Sequence, residues 1–159
     1  MVKLTECVFS TAGNVTSTMF DPCDNYNVLD EYWRSTKRYD TGHDDTIVEW
    51  NGWYRLFLQG ASAQMPECCV GVYRCGTYYT LWLNGPHPQI EDGVVTRQVC
   101  GNAGYDCYYY RTTTIQVKAC PGNYYVYELI RPDYCNMAYC TGIHIKKNLS
   151  EILPLCSLC

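Results

Sequence analysis

Residues 120–140 read CPGNYYVYELIRPDYCNMAYC, and this stretch decides the fold. It holds three of the chain's twelve cysteines, Cys120, Cys135 and Cys140. Pro121, Gly122 and Asn123 make a turn signal. Tyr124 to Ile130 carry the aromatic and branched side chains that suit a pleated strand, and Pro132 with Asp133 breaks it. A late strand is bracketed by three thiols, each able to staple it to earlier sequence. The chain reads as a disulfide framework hung on this strand, and not as an enzyme built around a catalytic site.

Composition sets the bounds around it. A chain of 159 residues suits one domain with short appendages and can bury a real core. The net charge is −4, and Lys146-Lys147 is the longest basic run, so no nucleic-acid partner is expected. No apolar run approaches the ~20 residues of a membrane span. Twelve cysteines, an even count, point to an oxidising compartment, so a secreted or extracellular setting is expected. Met1 to Cys7 lack the apolar core of a secretory signal, and the sequence stops at Cys159. The expectation is a fragment whose leader and following sequence lie elsewhere.

Working outward from the decisive strand, Thr113 to Ala119 alternate cleanly, with Ile115, Val117 and Ala119 inward and Thr114, Gln116 and Lys118 outward. Val94 to Val99, Leu81 to Leu83 and Val70 to Arg74 read as further strands. Gly52 to Leu58 has apolar residues on both faces, which predicts a central strand. Asn25 to Trp33 places Val28, Leu29, Tyr32 and Trp33 on one face of a short helix, with Asn27 as its cap. Residues 35–51 are polar and read as a solvated loop. The expected fold is all-β to β-rich α+β: a small antiparallel sheet stapled by several disulfides, with one short helical turn. Residues 1–22 are expected to form a hairpin or linker, 23–140 the domain, and 141–159 a tail that begins further cysteine-rich sequence.

Patterns that could carry chemistry are few. His43 beside Asp44 and Asp45 lacks a second His or Cys at ligand spacing, so a solvated loop is the better reading. Cys156-Ser157-Leu158-Cys159 is a CxxC without the second ligand pair of a zinc site or the flanking fold of a redox motif. His87, between two prolines, reads as a structural turn residue, and His144 lies in the tail. No nucleophile elbow, HExxH or paired-carboxylate pattern accompanies either histidine, so no enzyme, metal or cofactor is expected. Asn14-Val15-Thr16 and Asn148-Leu149-Ser150 are glycosylation acceptors. Sixteen tyrosines stand out. Tyr124 to Tyr127 suit a strand that is half core and half surface. Tyr108, Tyr109 and Tyr110, in a loop after Cys107, suit a partner-binding surface equally well.

From Asp21 to Cys140 the sequence resembles the uromodulin-type cysteine-rich, or eight-cysteine, domain family. The resemblance rests on Asp21-Pro22-Cys23, Leu29-Asp30-Glu31-Tyr32-Trp33-Arg34-Ser35-Thr36, Gly52-Trp53-Tyr54-Arg55, Cys69 with Cys75, Trp82-Leu83-Asn84-Gly85 with His87-Pro88, Gln116-Val117-Lys118-Ala119-Cys120, Tyr124-Tyr125-Val126-Tyr127 and Ala138-Tyr139-Cys140. It implies a secreted glycoprotein module whose glycan is a decoy for the mannose-binding adhesin of bacterial type 1 fimbriae. The asparagine that bears this glycan matches Asn84, but Gly85-Pro86 replaces the acceptor sequence, so Asn84 is not expected to be glycosylated. The resemblance implies the bridges Cys23–Cys120, Cys69–Cys107 and Cys75–Cys140. It leaves Cys68, Cys100 and Cys135 short of partners, and Cys68–Cys100 is the pair put forward among them. Cys7, Cys156 and Cys159 stay unassigned.

The expected function is therefore a non-catalytic extracellular glycoprotein module for innate defence. It would present glycans, at Asn14 or Asn148, or a rigid surface, at Asn84 and Tyr108 to Tyr110, to bacterial adhesins or extracellular glycoproteins. The alternatives are a lectin-like domain that binds sugar through its aromatic loops and a structural spacer before a zona pellucida-type module.

Overall fold

A computed structural model describes residues 20–111 and 113–143. Eight strands form one mixed sheet: β1 (Asn27–Asp30), β2 (Tyr54–Leu58), β3 (Ala61–Ser62), β4 (Tyr79–Asn84), β5 (Val94–Gly101), β6 (Thr114–Cys120), β7 (Tyr124–Glu128) and β8 (Met137–Tyr139). The order is β1-β2-β7-β6-β5-β4-β8, with β3 paired to β2 beside that path. β6 is central, antiparallel to both β5 and β7. The β6–β7 hairpin turns at Gly122 and Asn123, with φ of 95° and 59°, left-handed values that these two residue types tolerate best.

The period-two alternation of strands sorts side chains between the faces. Leu81, Leu83, Val99, Ile115, Val117 and Tyr127 join the main core with Leu56, Met65, Leu129, Met137 and Tyr139. Their neighbours Trp82 and Cys100 point the other way, into a second cluster with Val70, Cys75 and Cys140. Val126 packs with Cys23 and Cys120 in a third. Both faces of the sheet are thus covered, and each of the two smaller clusters is built around cysteines. Among the bridges are Cys23–Cys120, Cys69–Cys107 and Cys75–Cys140. They cross-link the β6 end to the chain's entry, the residues before β4 to the loop after β5, and the same segment to the end of β8.

The structure departs from the sequence expectation in four places. Residues 27–30 are not helical. They form β1, which runs parallel to β2, and only Tyr32–Arg34 makes a 3-10 turn. The Asn27 side chain donates to Asn51 O, across the strand pair, and caps nothing. Two parallel pairings, β1–β2 and β4–β8, make the sheet mixed and not purely antiparallel. Residues 70–74 form no strand. Tyr73 and Cys75 sit at φ of 60° and 55°, incompatible with extended pairing, and the Val70 carbonyl is taken by the Thr80 hydroxyl and the Asn102 amide. Lastly, the 35–51 loop is not wholly solvated. Asp45 is fully buried and binds Arg34 through both carboxylate oxygens, at 2.6 and 2.8 Å.

That buried pair organises the loop. Arg34 Nε also donates to Glu31, and Asp45 Oδ2 accepts the Tyr139 backbone N–H at 2.8 Å. Burial works against the Arg34 charge, but Asp45 and Glu31 more than offset it and hold the guanidinium above its ordinary pKa. Packing continues past the expected end of the domain at residue 140, since Thr141 bridges Ser35 and Gly142 bridges Gln64. The hairpin expected in residues 1–22 lies outside the described residues except for its last three. The expected tail lies outside them after Ile143.

Candidate functional site

β5 ends in Gly101, and from there the chain makes a loop that returns at Tyr110. Gly101 N–H donates to Tyr110 O at 2.8 Å, and Tyr110 N–H donates back at 3.2 Å. Within the loop, Asp106 accepts the Tyr108 N–H on its carboxylate and the Tyr109 N–H on its carbonyl. Asn102 anchors the loop to Val70 O and accepts the Gly104 N–H. Cys107 is bonded to Cys69, and its carbonyl accepts the Trp82 indole N–H at 3.1 Å. The loop is thus tied to the sheet at Gly101, Tyr110 and Trp82 and to the 68–75 segment at Asn102 and Cys107, and Asp106 braces it from within.

This frame displays tyrosines. The Tyr109 ring meets Tyr110 at 4.8 Å edge to face, Tyr105 meets Tyr109 at 5.4 Å, and Tyr110 lies 4.8 Å from Tyr134. Tyr110 also leans on Tyr79 of β4, and Tyr108 packs edge-on against Trp82. Tyr105, Tyr109 and Tyr134 are 79%, 52% and 49% exposed, so the cluster is a surface and not a core. Tyr109, Tyr110, Arg111 and Tyr134 line a groove of about 360 Å3. The Arg111 guanidinium lies 5.0 Å over the Tyr108 ring, and its Nε donates to Tyr108 O at 2.6 Å. Burial, with Tyr79, Tyr109 and Tyr134 close by, raises the pKa of the Tyr110 phenol. The neighbouring Tyr109 does the same for Tyr105. The face therefore offers phenol hydroxyls around the Arg111 guanidinium.

Of the residues singled out in sequence, Tyr108, Tyr109 and Tyr110 stand together on this face. Asn84 connects to it from beneath: its Nδ2 donates to Gln98 Oε1 at 2.9 Å, and Gln98 Nε2 donates to Arg111 O at 2.7 Å. The Asn84 amide is engaged within the fold. Sequence reasoning misses Tyr105, Arg111 and Tyr134. Tyr134 is legible as the neighbour of Cys135 in the stretch that decides the fold, but nothing in sequence places it against Tyr110. Asn14, Asn148, Cys7, His144, Cys156 and Cys159 lie outside the described residues.

The thiols need a correction. Cys100 and Cys135 are free, the first buried and the second exposed, whereas Cys68 is in a disulfide. The expected Cys68–Cys100 pair is therefore not formed. Cys100 faces the second cluster beside Trp82, with its Sγ 3.9 Å from Gln98 Oε1. Burial pushes its pKa up, Asp106 adds to that and Arg111 opposes it.

The histidines have structural surroundings. His87 is 4% exposed; its Nδ1 lies 2.5 Å from Glu67 Oε1 and its Nε2 2.7 Å from the Tyr127 hydroxyl. Sequence spacing does not anticipate the Glu67–His87–Tyr127 chain. It ties the proline-flanked turn to β7, and the Tyr127 hydroxyl also accepts the Met65 N–H. Exposed His43 stacks on Trp33 at 3.9 Å. Among the described residues no three His, Cys, Asp or Glu gather as metal ligands, and no helix is long and apolar enough to cross a membrane.

Comparison with known proteins extends the geometry. A family model for the uromodulin-like eight-cysteine domain matches residues 54–141. Mouse (Mus musculus) uromodulin is 47% identical over 121 residues, covering 76% of this chain and 18% of that protein. The dog (Canis lupus familiaris) pancreatic secretory granule membrane major glycoprotein GP2 is 40% identical over 168 residues, covering 98% of this chain and 32% of that protein. Its human (Homo sapiens) counterpart is 43% identical over 122 residues, covering 77% and 22%. The chain spans less than a third of the length of these relatives, and they share its cysteine-rich module. The chain belongs to the uromodulin-like eight-cysteine domain family.

Proposed function

We propose that this chain is a non-catalytic extracellular module that presents a rigid tyrosine-rich surface to microbial or glycoprotein partners. The observation that carries the reading is the Tyr105–Tyr109–Tyr110–Tyr134 face, exposed yet fixed by the Cys69–Cys107 bridge and the Gly101–Tyr110 ladder. Exposed aromatics held in one geometry bind partners with little loss of conformational freedom. The disulfides favour an oxidising compartment, in keeping with a secretory-granule glycoprotein among the relatives. The reading is non-catalytic because His87, the base a nucleophile would need, is buried with both ring nitrogens engaged. Presentation of a glycan at Asn84 is disfavoured, since its amide is spent on Gln98 and its acceptor sequence is absent.

The test is capture of type 1-fimbriated bacteria by the secreted protein, before and after enzymatic deglycosylation, with and without free mannose. Capture that survives deglycosylation and is lost in a Tyr109→Ala/Tyr134→Ala variant supports the surface reading. Capture abolished by deglycosylation or by mannose would move the function to glycans at Asn14 or Asn148. No capture by any form overturns the microbial reading.

A further inference from the structure

The geometry points to a specific ligand for the groove on this face: an anionic sugar residue, bearing a carboxylate or a sulfate, held by Tyr109, Tyr110, Tyr134 and Arg111. The inference rests on the surface reading above and names what that surface takes. The groove, about 360 Å3, has room for roughly one or two sugar rings. Its walls are three tyrosines set at angles. Tyr109 stands at 80° to Tyr110, and Tyr110 at 44° to Tyr134. A pyranose meets such walls with its C–H face on one ring and its hydroxyls on the phenol oxygens of the others. Tyrosine suits that contact because it joins an apolar ring to a polar tip.

The charge in the groove selects among sugars. Arg111 is the one cationic residue among the described residues that line it, in a chain whose net charge is −4. Its Nε donates to Tyr108 O and its Cζ lies 5.0 Å from the Tyr108 ring centroid, so the side chain is already held in place. The two terminal amino groups carry no hydrogen bond among the described residues. A guanidinium held this way offers a planar fork that matches a carboxylate or sulfate. The nearby carboxylates lie outside the lining and face other donors: Asp106 accepts the Tyr108 N–H, and Asp133 accepts the Thr113 hydroxyl. The lining itself holds no carboxylate.

The experiment titrates the full secreted chain, deglycosylated so that its own sugars cannot compete, with three probes: sialyllactose, 3′-sulfated lactose and lactose. Saturable binding of one or both anionic sugars, with lactose at least about tenfold weaker, is expected, since an ionised hydrogen-bond partner is worth that much. The two anionic probes show whether carboxylate or sulfate is the natural group. Arg111→Ala should erase the preference over lactose, and Arg111→Lys should recover only part of it, because an ammonium lacks the fork. Tyr109→Ala should weaken every sugar by up to about tenfold. Tyr39→Ala, at an exposed ring outside the groove, should change nothing. Near-UV circular dichroism matching the unsubstituted protein checks the fold of each variant. Equal binding of lactose and the anionic probes, or binding unchanged in Arg111→Ala, overturns the inference. Absence of sugar binding, with bacterial capture still sensitive to Tyr109→Ala/Tyr134→Ala, overturns the ligand and spares the surface reading.

Discussion

Gly101 and Tyr110 approach so closely that a Cβ on Gly101 would sit 2.9 Å from the Tyr110 Cβ and 3.2 Å from Leu81 Cδ2. The glycine's backbone angle is ordinary, so the requirement is for space. This contact lets the loop close its two-bond ladder and set the tyrosine face. Gly101→Ala is expected to cost about 1–3 kcal/mol, as overpacking does. It should also shift Tyr110 out of the groove. Thermal unfolding reports the first effect and near-UV circular dichroism of the tyrosines the second. An unchanged melting temperature and spectrum would remove Gly101 from this role.

The buried Arg34–Asp45 pair makes a different prediction. Removing Asp45 leaves the buried Arg34 with only the part-exposed Glu31 as counter-charge, in a site with almost no solvent. Asp45→Ala should destabilise by about 3–5 kcal/mol. Replacing both with apolar residues, Arg34→Met with Asp45→Leu, should recover part of that loss, because no charge is stranded. Urea denaturation of the three proteins decides it. A double variant as unstable as Asp45→Ala would show that the hydrogen bonds to Tyr139 matter more than the charges.

The Cys23–Cys120 bridge closes a separation of 97 residues and joins the chain's entry to the last residue of β6. In the chain-entropy model such a closure contributes on the order of 4–5 kcal/mol. Cys120→Ser is expected to block secretion, and the measurement is extracellular against intracellular protein in transfected cells. Normal export would mean that the sheet's own packing suffices.

What is legible in the sequence follows from what each signal encodes. The alternation of Ile115, Val117 and Ala119 locates β6 because that strand has one covered and one wetter face. The Val28-Leu29 and Tyr32-Trp33 pairs mislead. Short apolar pairs fit a helix face as well as a strand, and the partner that decides between them, β2, lies more than twenty residues away. Asp45 sits in a polar run, and its pairing with Arg34 and the Tyr139 N–H, both distant in sequence, explains its burial. Tyr108 to Tyr110 are visible as a cluster, but the groove needs Tyr134, which β8 and its preceding turn bring from a distant stretch. Cys100 and Cys135 look like bridge members because thiol counts carry no geometry.

The last prediction concerns acid. Asp44 accepts from the Thr46 N–H and hydroxyl, at 3.0 and 2.7 Å, and the nearby backbone N–H groups of Asn136 and Met137 add to the electrostatic pull on its carboxylate. Burial alone would raise its pKa, but these donors outweigh it and hold the carboxyl below the ordinary carboxylate range. The carboxylate therefore caps the Asp45–Ile47 turn. Because the folded pKa is the lower one, the stabilisation is present above the unfolded value, about 3.9, and is lost as pH falls through the folded value. Asp21, lowered by Lys118 and the Cys23 N–H, loses its contribution in the same direction, so both proteins compared must retain it. Asp44→Asn should be less stable than the unsubstituted protein at neutral pH, and the gap in melting temperature should narrow below about pH 4. A gap that stays constant down to about pH 2 would mean that the side chain acts through its shape, and that its charge contributes nothing to the cap.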